Sequence, residues 1–181
     1  MSVQDVILVN EKDEVIGYKE KLQAHMDGDL HRAFSVLLFN KKGEMLIHQR
    51  AFDKYHSGGL WTNTCCSHPK AGEDIVSAGR RRLMEEMGIK AEVKHLYHFI
   101  YKAPFQNGLT EHELDHVLIG NFEGVPQPNP EEVATYRWVS KDILEEEIKA
   151  QPEQFTFWFK MILEEIEKNY SSIWESINYQ S

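Results

Sequence analysis

Apolar runs alternate with Gly-, Pro- and Asn-bearing breaks along the chain, a pattern that predicts many short strands and a few helices. QDVILVN and VIGYK read as strands joined by the polar turn EKDE, and KLQAHMDGDLH, after them, as a loop or short helix. AFSVLLF (Ala33 to Phe39) and MLIHQR flank a Gly-bearing turn, which predicts a hairpin in a sheet interior. YHSGGLW is a flexible entry to WTNTCCSHP, which reads as one strand ending near its proline.

From Glu73 to Met87 the period changes. Ile75, Gly79, Leu83 and Met87 recur every four residues and form one helical stripe, Arg82 and Glu86 share another face, and Gly88 is placed to end the helix. KHLYHFIYKAPF and ELDHVLIGNFEG flank the turn QNG as a second strand pair. GVPQPNPEEV is a proline-rich loop, YRWVS a short strand, and two helices close the chain, around DILEEEIKA and from about Glu153 to Asn169. In the last of these Trp158, Ile162 and Ile166 fall at helical spacing.

Size and composition narrow the picture. A chain of 181 residues with 41% hydrophobic and 27% charged residues suits one compact domain, 1–181. A net charge of -9 disfavours a broad surface for nucleic acid or anionic lipid, so any phosphate-bearing ligand is held locally. The N-terminal MSVQDVILVNEKDE lacks the features of a secretory signal, and no apolar run approaches the roughly 20 residues of a membrane span. A cytoplasmic protein is expected. Cys65 and Cys66 are adjacent, so they cannot staple distant parts of the fold, and reduced thiols are expected.

Three features carry candidate chemistry. His112 to His116 spells HELDH, the zinc-peptidase pattern, but that motif needs a helix and this segment runs into VLIGNF as a strand. On a strand Glu111, Glu113 and Asp115 share one face and the histidines take the other, with the α-carbons of Glu111 and Glu113 roughly 7 Å apart. Glu86 sits in the last helical turn, where a negative charge opposes the helix dipole, and a cation nearby would account for it. His25 and His31, six residues apart, fit neither one helix face nor neighbouring strand positions, so a shared task needs a curled loop.

WTNTCCSHP, the spacing from Glu73 to GRRRLMEEMG, and T-E-H-E in the later strand together resemble the type 1 isopentenyl-diphosphate isomerases of the Nudix superfamily over nearly the whole chain. The Nudix signature G-x5-E-x7-R-E-U-x-E-E-x-G-U maps onto Ser67, Glu73, Arg81, Arg82, Leu83, Glu85, Glu86, Gly88 and Ile89. Ser67 replaces its glycine and Arg82 its first R-E glutamate. Losing that acid weakens the case for Nudix hydrolysis, in which several carboxylates hold the ions that activate water.

The resemblance implies an α/β Nudix sandwich, a mixed sheet between helices, with N- and C-terminal additions. It implies one Mn2+, Mg2+ or Zn2+ held by His25, His31, His68, Glu111 and Glu113, and a Mg2+ shared between the substrate diphosphate, Glu86 and the Cys66 carbonyl. Lys21, Arg50, Lys54 and Arg82 match diphosphate-contacting positions. Cys66 and Glu113 match the proton-transfer pair, with Tyr101 assisting, and Trp158, with Trp61 as a second candidate, would face a carbocation. The implied reaction interconverts isopentenyl and dimethylallyl diphosphate in a monomer. A Nudix pyrophosphatase and a non-catalytic diphosphate-binding module are the alternatives.

Overall fold

A computed structural model describes residues 5–105 and 107–176. Its elements run β1 (Asp5–Val9), β2 (Val15–Glu20), α1 (Lys21–Asp27), β3 (His31–Phe39), β4 (Met45–Arg50), β5 (Trp61–Thr62) and β6 (Cys65–Ser67). Then come α2 (Ile75–Met87), β7 (Val93–Pro104), β8 (Thr110–Asn121), β9 (Val133–Val139), α3 (Lys141–Ala150), α4 (Phe157–Asn169) and α5 (Ile173–Ser176), with a 3-10 turn at Pro152–Gln154. Gln4 and Gln106, which belong to a predicted strand and turn, lie outside the described residues.

β3 is the central strand. It runs parallel to β8 from His31 opposite Glu113 to Phe39 opposite Asn121, and antiparallel to β6 from Phe34 opposite Ser67 to Val36 opposite Cys65. Strand alternation sends its side chains to two cores. Leu37 and Phe39 pack with Trp158, Phe159, Ile162 and Ile166 of α4, whereas Phe34, Val36 and Leu38 pack with Ala78, Leu83 and Met87 of α2. The mixed sheet between helices follows from those two apolar stripes, and β1 and β2 form a hairpin added at the N-terminal side.

The α2 helix ends at Gly88 as its sequence predicts and begins at Ile75, two residues after Glu73. The Asp74 carboxylate accepts from Ser77 N–H, and Gly88 closes the helix at φ 61°. Gly79 lets the helix lie against the sheet, since a Cβ there would stand 2.6 Å from Leu118 Cδ1.

Three predicted elements differ in detail. The hairpin of β3 and β4 has a single registered pair, Phe39 opposite Met45, because the strands splay and WTNTCCSHP wedges between them. That segment is two short strands rather than one: β5 pairs β4 and β6 pairs β3. At its corner Thr64 Oγ1 donates to Leu46 O (2.6 Å) and accepts from Leu38 N (2.9 Å), supplying bonds that the separated strands no longer give each other. The last long helix starts at Phe157 rather than near Glu153, which sits in the 3-10 turn; Thr156 N–H is held by Trp61 O at 3.0 Å.

Candidate active site

The sheet order builds a row of side chains. Tyr101 of β7, Glu113 of β8 and His31 of β3 lie side by side in register, and one step along Asp115 of β8 lies beside Ala33. Farther along β3, Ser35 stands opposite Cys66 of β6. Alternation also separates the adjacent cysteines. Cys65 is fully buried on the α2 side, where its thiol donates to Glu86 Oε2 (3.1 Å), and Cys66 faces a cavity of about 370 Å³. That volume is at the small end of the roughly 300–1,000 Å³ usual for ligand sites.

One wall of the cavity is acidic and imidazole-rich. The predicted ligands His25 and His31 come together because α1 ends in left-handed Gly28 (φ 73°), which curls the chain from His25 in the last helical turn to His31 at the start of β3. Ligating atoms of His25, His31, His68 and Glu113 all lie within 4.8 Å of one another, and Glu111 joins through His25 Nε2 at 2.8 Å. His25 Nδ1–H donates to Lys21 O (2.6 Å) and His31 Nδ1–H to Asp29 O (2.9 Å). In the neutral His31 ring the bond to Asp29 leaves Nε2 bare and facing Glu113, the tautomer that a metal ligand requires, while His25 Nε2 is hydrogen-bonded to Glu111.

His31 Nε2 is buried with no hydrogen-bond partner, 3.6 Å from Glu113 Oε1. A lone pair so placed fits a cation. Burial holds the His31 imidazole at about 4 and pushes His68 well below its ordinary value, so both are neutral donors at neutral pH. Burial, then the neighbouring Glu111, push the Glu113 carboxyl well up. Burial opposes ionisation of Glu111 too, but hydrogen bonds from Glu113, His25 and His56 outweigh it and hold that carboxyl well down. Two buried carboxyls thus share one proton beside the neutral imidazoles of His31 and His68, the charge pattern that a divalent ion would relieve.

The opposite wall is cationic. Arg50 lies 5.3 Å over the Trp158 ring, with an Nη atom 4.0 Å from Cys66 Sγ. Lys21 is pushed down chiefly by burial, against the pull of Glu111 and with Lys54 and Arg50 nearby. Lys54 pairs with Glu132, and Arg82 with Glu86 (2.5 Å) and Glu85 (2.6 Å). These four cations line the cavity, as do Glu86, Tyr101 and Trp158. Tyr101 O–H donates to Glu111 Oε2 at 3.2 Å. Trp61 is not among the lining residues; Arg137 covers its ring at 4.6 Å.

Buried side-chain polar atoms without a partner converge on this site. Among the described residues they are His31 Nε2, Arg50 Nε, Arg82 Nε, Asp115 Oδ1 and Trp158 Nε1. Four of the five residues line the cavity and the fifth belongs to the imidazole cluster. Native folds leave few such atoms, so their concentration marks a place built for a polar ligand.

Among the lining residues that escaped sequence reasoning, His56 and Ser35 stand next to the acids. His56 Nε2 lies 2.8 Å from Glu111 Oε1, in a glycine-bearing loop whose conformation has no periodic signal. Ser35 sits in an apolar run and donates to Asp115 Oδ2 at 2.7 Å. Burial raises the Asp115 carboxyl to about 7. The signal there was a hydroxyl at a core position beside an acid-bearing strand.

The sequence profile of the NUDIX domain matches residues 29–159. The isopentenyl-diphosphate Delta-isomerase of Photobacterium profundum is 50% identical over 175 residues, covering 93% of this chain and 97% of that protein. The chain belongs to the Nudix isopentenyl-diphosphate isomerase family. The namesake from Pectobacterium atrosepticum is 47% identical over 161 residues, 89% of this chain and 90% of that protein. Among solved structures, Deinococcus radiodurans DR0079 superposes with a TM-score of 0.67 at 23% identity (81% of this chain, 89% of that one), and the MutT protein of Methanosarcina mazei with 0.63 at 19% identity (77% and 94%). These two likenesses concern the fold.

Within that family the departure at Arg82 has a visible consequence. Where the general Nudix signature has a carboxylate, this chain has a guanidinium bonded to Glu85 and Glu86 and 3.5 Å from Glu132. A potential ion-binding acid is replaced by a cation that can meet phosphate oxygens.

Proposed function

We propose that the cavity interconverts isopentenyl and dimethylallyl diphosphate, with Cys66 and Glu113 as the proton-transfer pair. The observation that carries this reading is one small cavity that brings together four cations, the half-buried Cys66 thiol and two buried carboxyls, Glu111 and Glu113. Lys21, Arg50, Lys54 and Arg82 bind the diphosphate. The five-carbon tail then lies between Cys66 and Glu113, under Trp158.

A proton adds to the terminal alkene carbon, the positive charge forms at the tertiary carbon, and a proton leaves the neighbouring methylene. An unactivated alkene is a very weak base, so the donor must be positioned and must hold its proton until needed. Burial pushes the Cys66 thiol up to about 12, which keeps it protonated at neutral pH. Tyr101, bonded to Glu111, orients the carboxyl side. The Trp158 face stabilises the cation, a contact worth about 2 kcal/mol when desolvated, and the ring excludes water.

His25, His31, His68, Glu111 and Glu113 would hold a Mn2+, Mg2+ or Zn2+ that keeps both carboxylates ionised and oriented, and Glu86 with the Cys66 carbonyl would hold a Mg2+ shared with the diphosphate. The protein is proposed to act as a monomer built as a single domain. No helix among the described residues is long and apolar enough to cross a membrane. Two free thiols at or beside the site suit the reducing cytoplasm.

Incubation with labelled isopentenyl diphosphate and Mg2+ or Mn2+ should yield an acid-labile allylic product without phosphate release. Phosphate release instead would make the chain a pyrophosphatase. Binding without turnover in either metal would make it a binding module.

A further inference from the structure

Three histidines outside the cavity converge on the other face of β8. We infer that His95, His98 and His116 form a second metal site, for a borderline d-block cation such as Zn2+, held in place by Asp13. Their ligating atoms all lie within 4.8 Å of one another. Ring centroids stand 5.0 Å apart for His95 and His116 and 5.3 Å for His98 and His116.

The fold makes a specific local effort to bring them together. His98 faces His116 directly across the β7–β8 ladder. His95 is three residues from His98, an odd spacing that strand alternation would send to the opposite face. A bulge corrects this: His95 is opposite Leu118 and Tyr97 opposite Val117, so Leu96 is the extra residue and His95 returns to the His98 face. Glu113 and Asp115 point the other way, into the cavity, so the cluster is separate from the catalytic carboxylates.

Asp13 supplies the orienting carboxylate. Its Oδ2 lies 2.9 Å from His116 Nε2, so Nε2–H donates there and the Nδ1 lone pair faces the cluster, accepting from His95 Nε2–H at 2.9 Å. A carboxylate behind an imidazole whose other nitrogen faces two more imidazoles is the arrangement of a ligating histidine. Asp13 is itself locked at a left-handed backbone position (φ 64°) by Arg32, whose Nε donates to Oδ1 (2.7 Å) and whose Nη2 donates to the Asp13 carbonyl (2.8 Å).

The donor set chooses the ion. Mg2+ and Ca2+ demand oxygen ligands, whereas three imidazoles suit Zn2+, Cu2+ or Ni2+. A tetrahedral ion with bonds of about 2.0–2.1 Å needs nitrogens roughly 3.3 Å apart; the His95 and His116 nitrogens are 2.9 Å apart, and all three rings offer atoms within 4.8 Å of one another. His95 and His98 are exposed and free to rotate that far; His116 is 8% exposed and fixed. Burial first, and neighbouring imidazoles, hold His95 and His116 below their ordinary value, which favours the neutral ligand. Occupancy would tie the β1–β2 turn to the β7–β8 ladder.

The full chain and its His95→Gln/His98→Gln variant, each dialysed to equilibrium against labelled Zn2+, test the site. The parent should retain one more equivalent per chain than the variant, because the cavity residues are identical in both. Asp13→Asn should keep that equivalent but bind it ~10–100-fold more weakly. Both substituted rings are exposed, so the double variant should melt in chelator within a few degrees of the parent. An equal Zn2+ count in parent and double variant overturns the site, and parental Zn2+ affinity in Asp13→Asn overturns the role given to Asp13.

Discussion

Cys65 and Cys66 differ by one position and, through strand alternation, by the whole of their surroundings, so their alanine variants should separate activity from stability. Cys66→Ala removes the half-buried thiol at the cavity while Lys21, Arg50, Lys54 and Arg82, the proposed diphosphate ligands, stay in place. Positioned proton transfer contributes ~10²–10⁴-fold, so kcat should fall at least ~100-fold with KM within about threefold. Cys65→Ala does the reverse. It removes a fully buried sulfur worth about 1 kcal/mol of burial and a bond to Glu86 worth about 1 kcal/mol net, while Arg82 still holds Glu86 at 2.5 Å. About 2 kcal/mol corresponds to a fall of ~4–8 °C in Tm for a chain of this size, with kcat kept within about threefold. Conversion of labelled isopentenyl diphosphate and thermal melts by circular dichroism read both. A parental kcat in Cys66→Ala, or a comparable loss in a folded Cys65→Ala, refutes the assignment.

Arg82→Ala should raise KM for the diphosphate by roughly 10–100-fold, the loss of one charge-assisted bond, and a KM within twofold of the parent would remove Arg82 from diphosphate binding. Gly79→Ala should cost about 1–3 kcal/mol by overpacking, since its Cβ would meet Leu118 at 2.6 Å, and an unchanged melting temperature would mean that α2 can move off the sheet freely. Burial, then Arg50, hold His48 at about 4 in the folded chain against 6.5 when unfolded. The unfolded chain therefore takes up the proton first as pH falls, and this stability, fully present above about 6.5, is lost towards about 4. From pH 7 to pH 5 the loss is about 2 kcal/mol. Asp115, raised to about 7, pushes the opposite way, so the quantity to measure by urea unfolding is the difference from His48→Gln, which should lose about 2 kcal/mol less over that range. Parallel pH profiles would place His48 in contact with water.

How much the sequence reveals depends on whether a feature is periodic. The α2 stripe, its Gly88 stop and the strand reading of HELDH rest on local period and survive in three dimensions, down to the buried Glu111, Glu113 and Asp115 facing one way and His112 and His116 the other. The splayed β3–β4 pair does not, because each strand is equally apolar whether it meets the other or β8 and β9. Only tertiary pairing chooses. His25 and His31 share no helical or strand period, yet both are fully buried side by side, because a single αL glycine converts an awkward six-residue spacing into convergence. The bulge at Leu96 is equally silent, since no residue type there announces an extra position.

Arg82 bears on the reaction as well as on binding. Hydrolysis of a diphosphate needs ions held by carboxylates next to the phosphorus and a water free to attack it. Here Arg82 stands in the carboxylate's place, Glu85 and Glu86 bind it, and Glu132 also faces it. The acids that would gather ions around the phosphate are partly neutralised by a residue that is proposed to bind the phosphate instead. The carboxyls left free of arginine, Glu111 and Glu113, lie on the other wall beside the imidazoles and Tyr101. In the proposed binding mode, a diphosphate held by the cationic wall presents its hydrocarbon end, rather than its phosphorus, to the proposed proton-carrying groups, and that separation favours proton movement on carbon over hydrolysis.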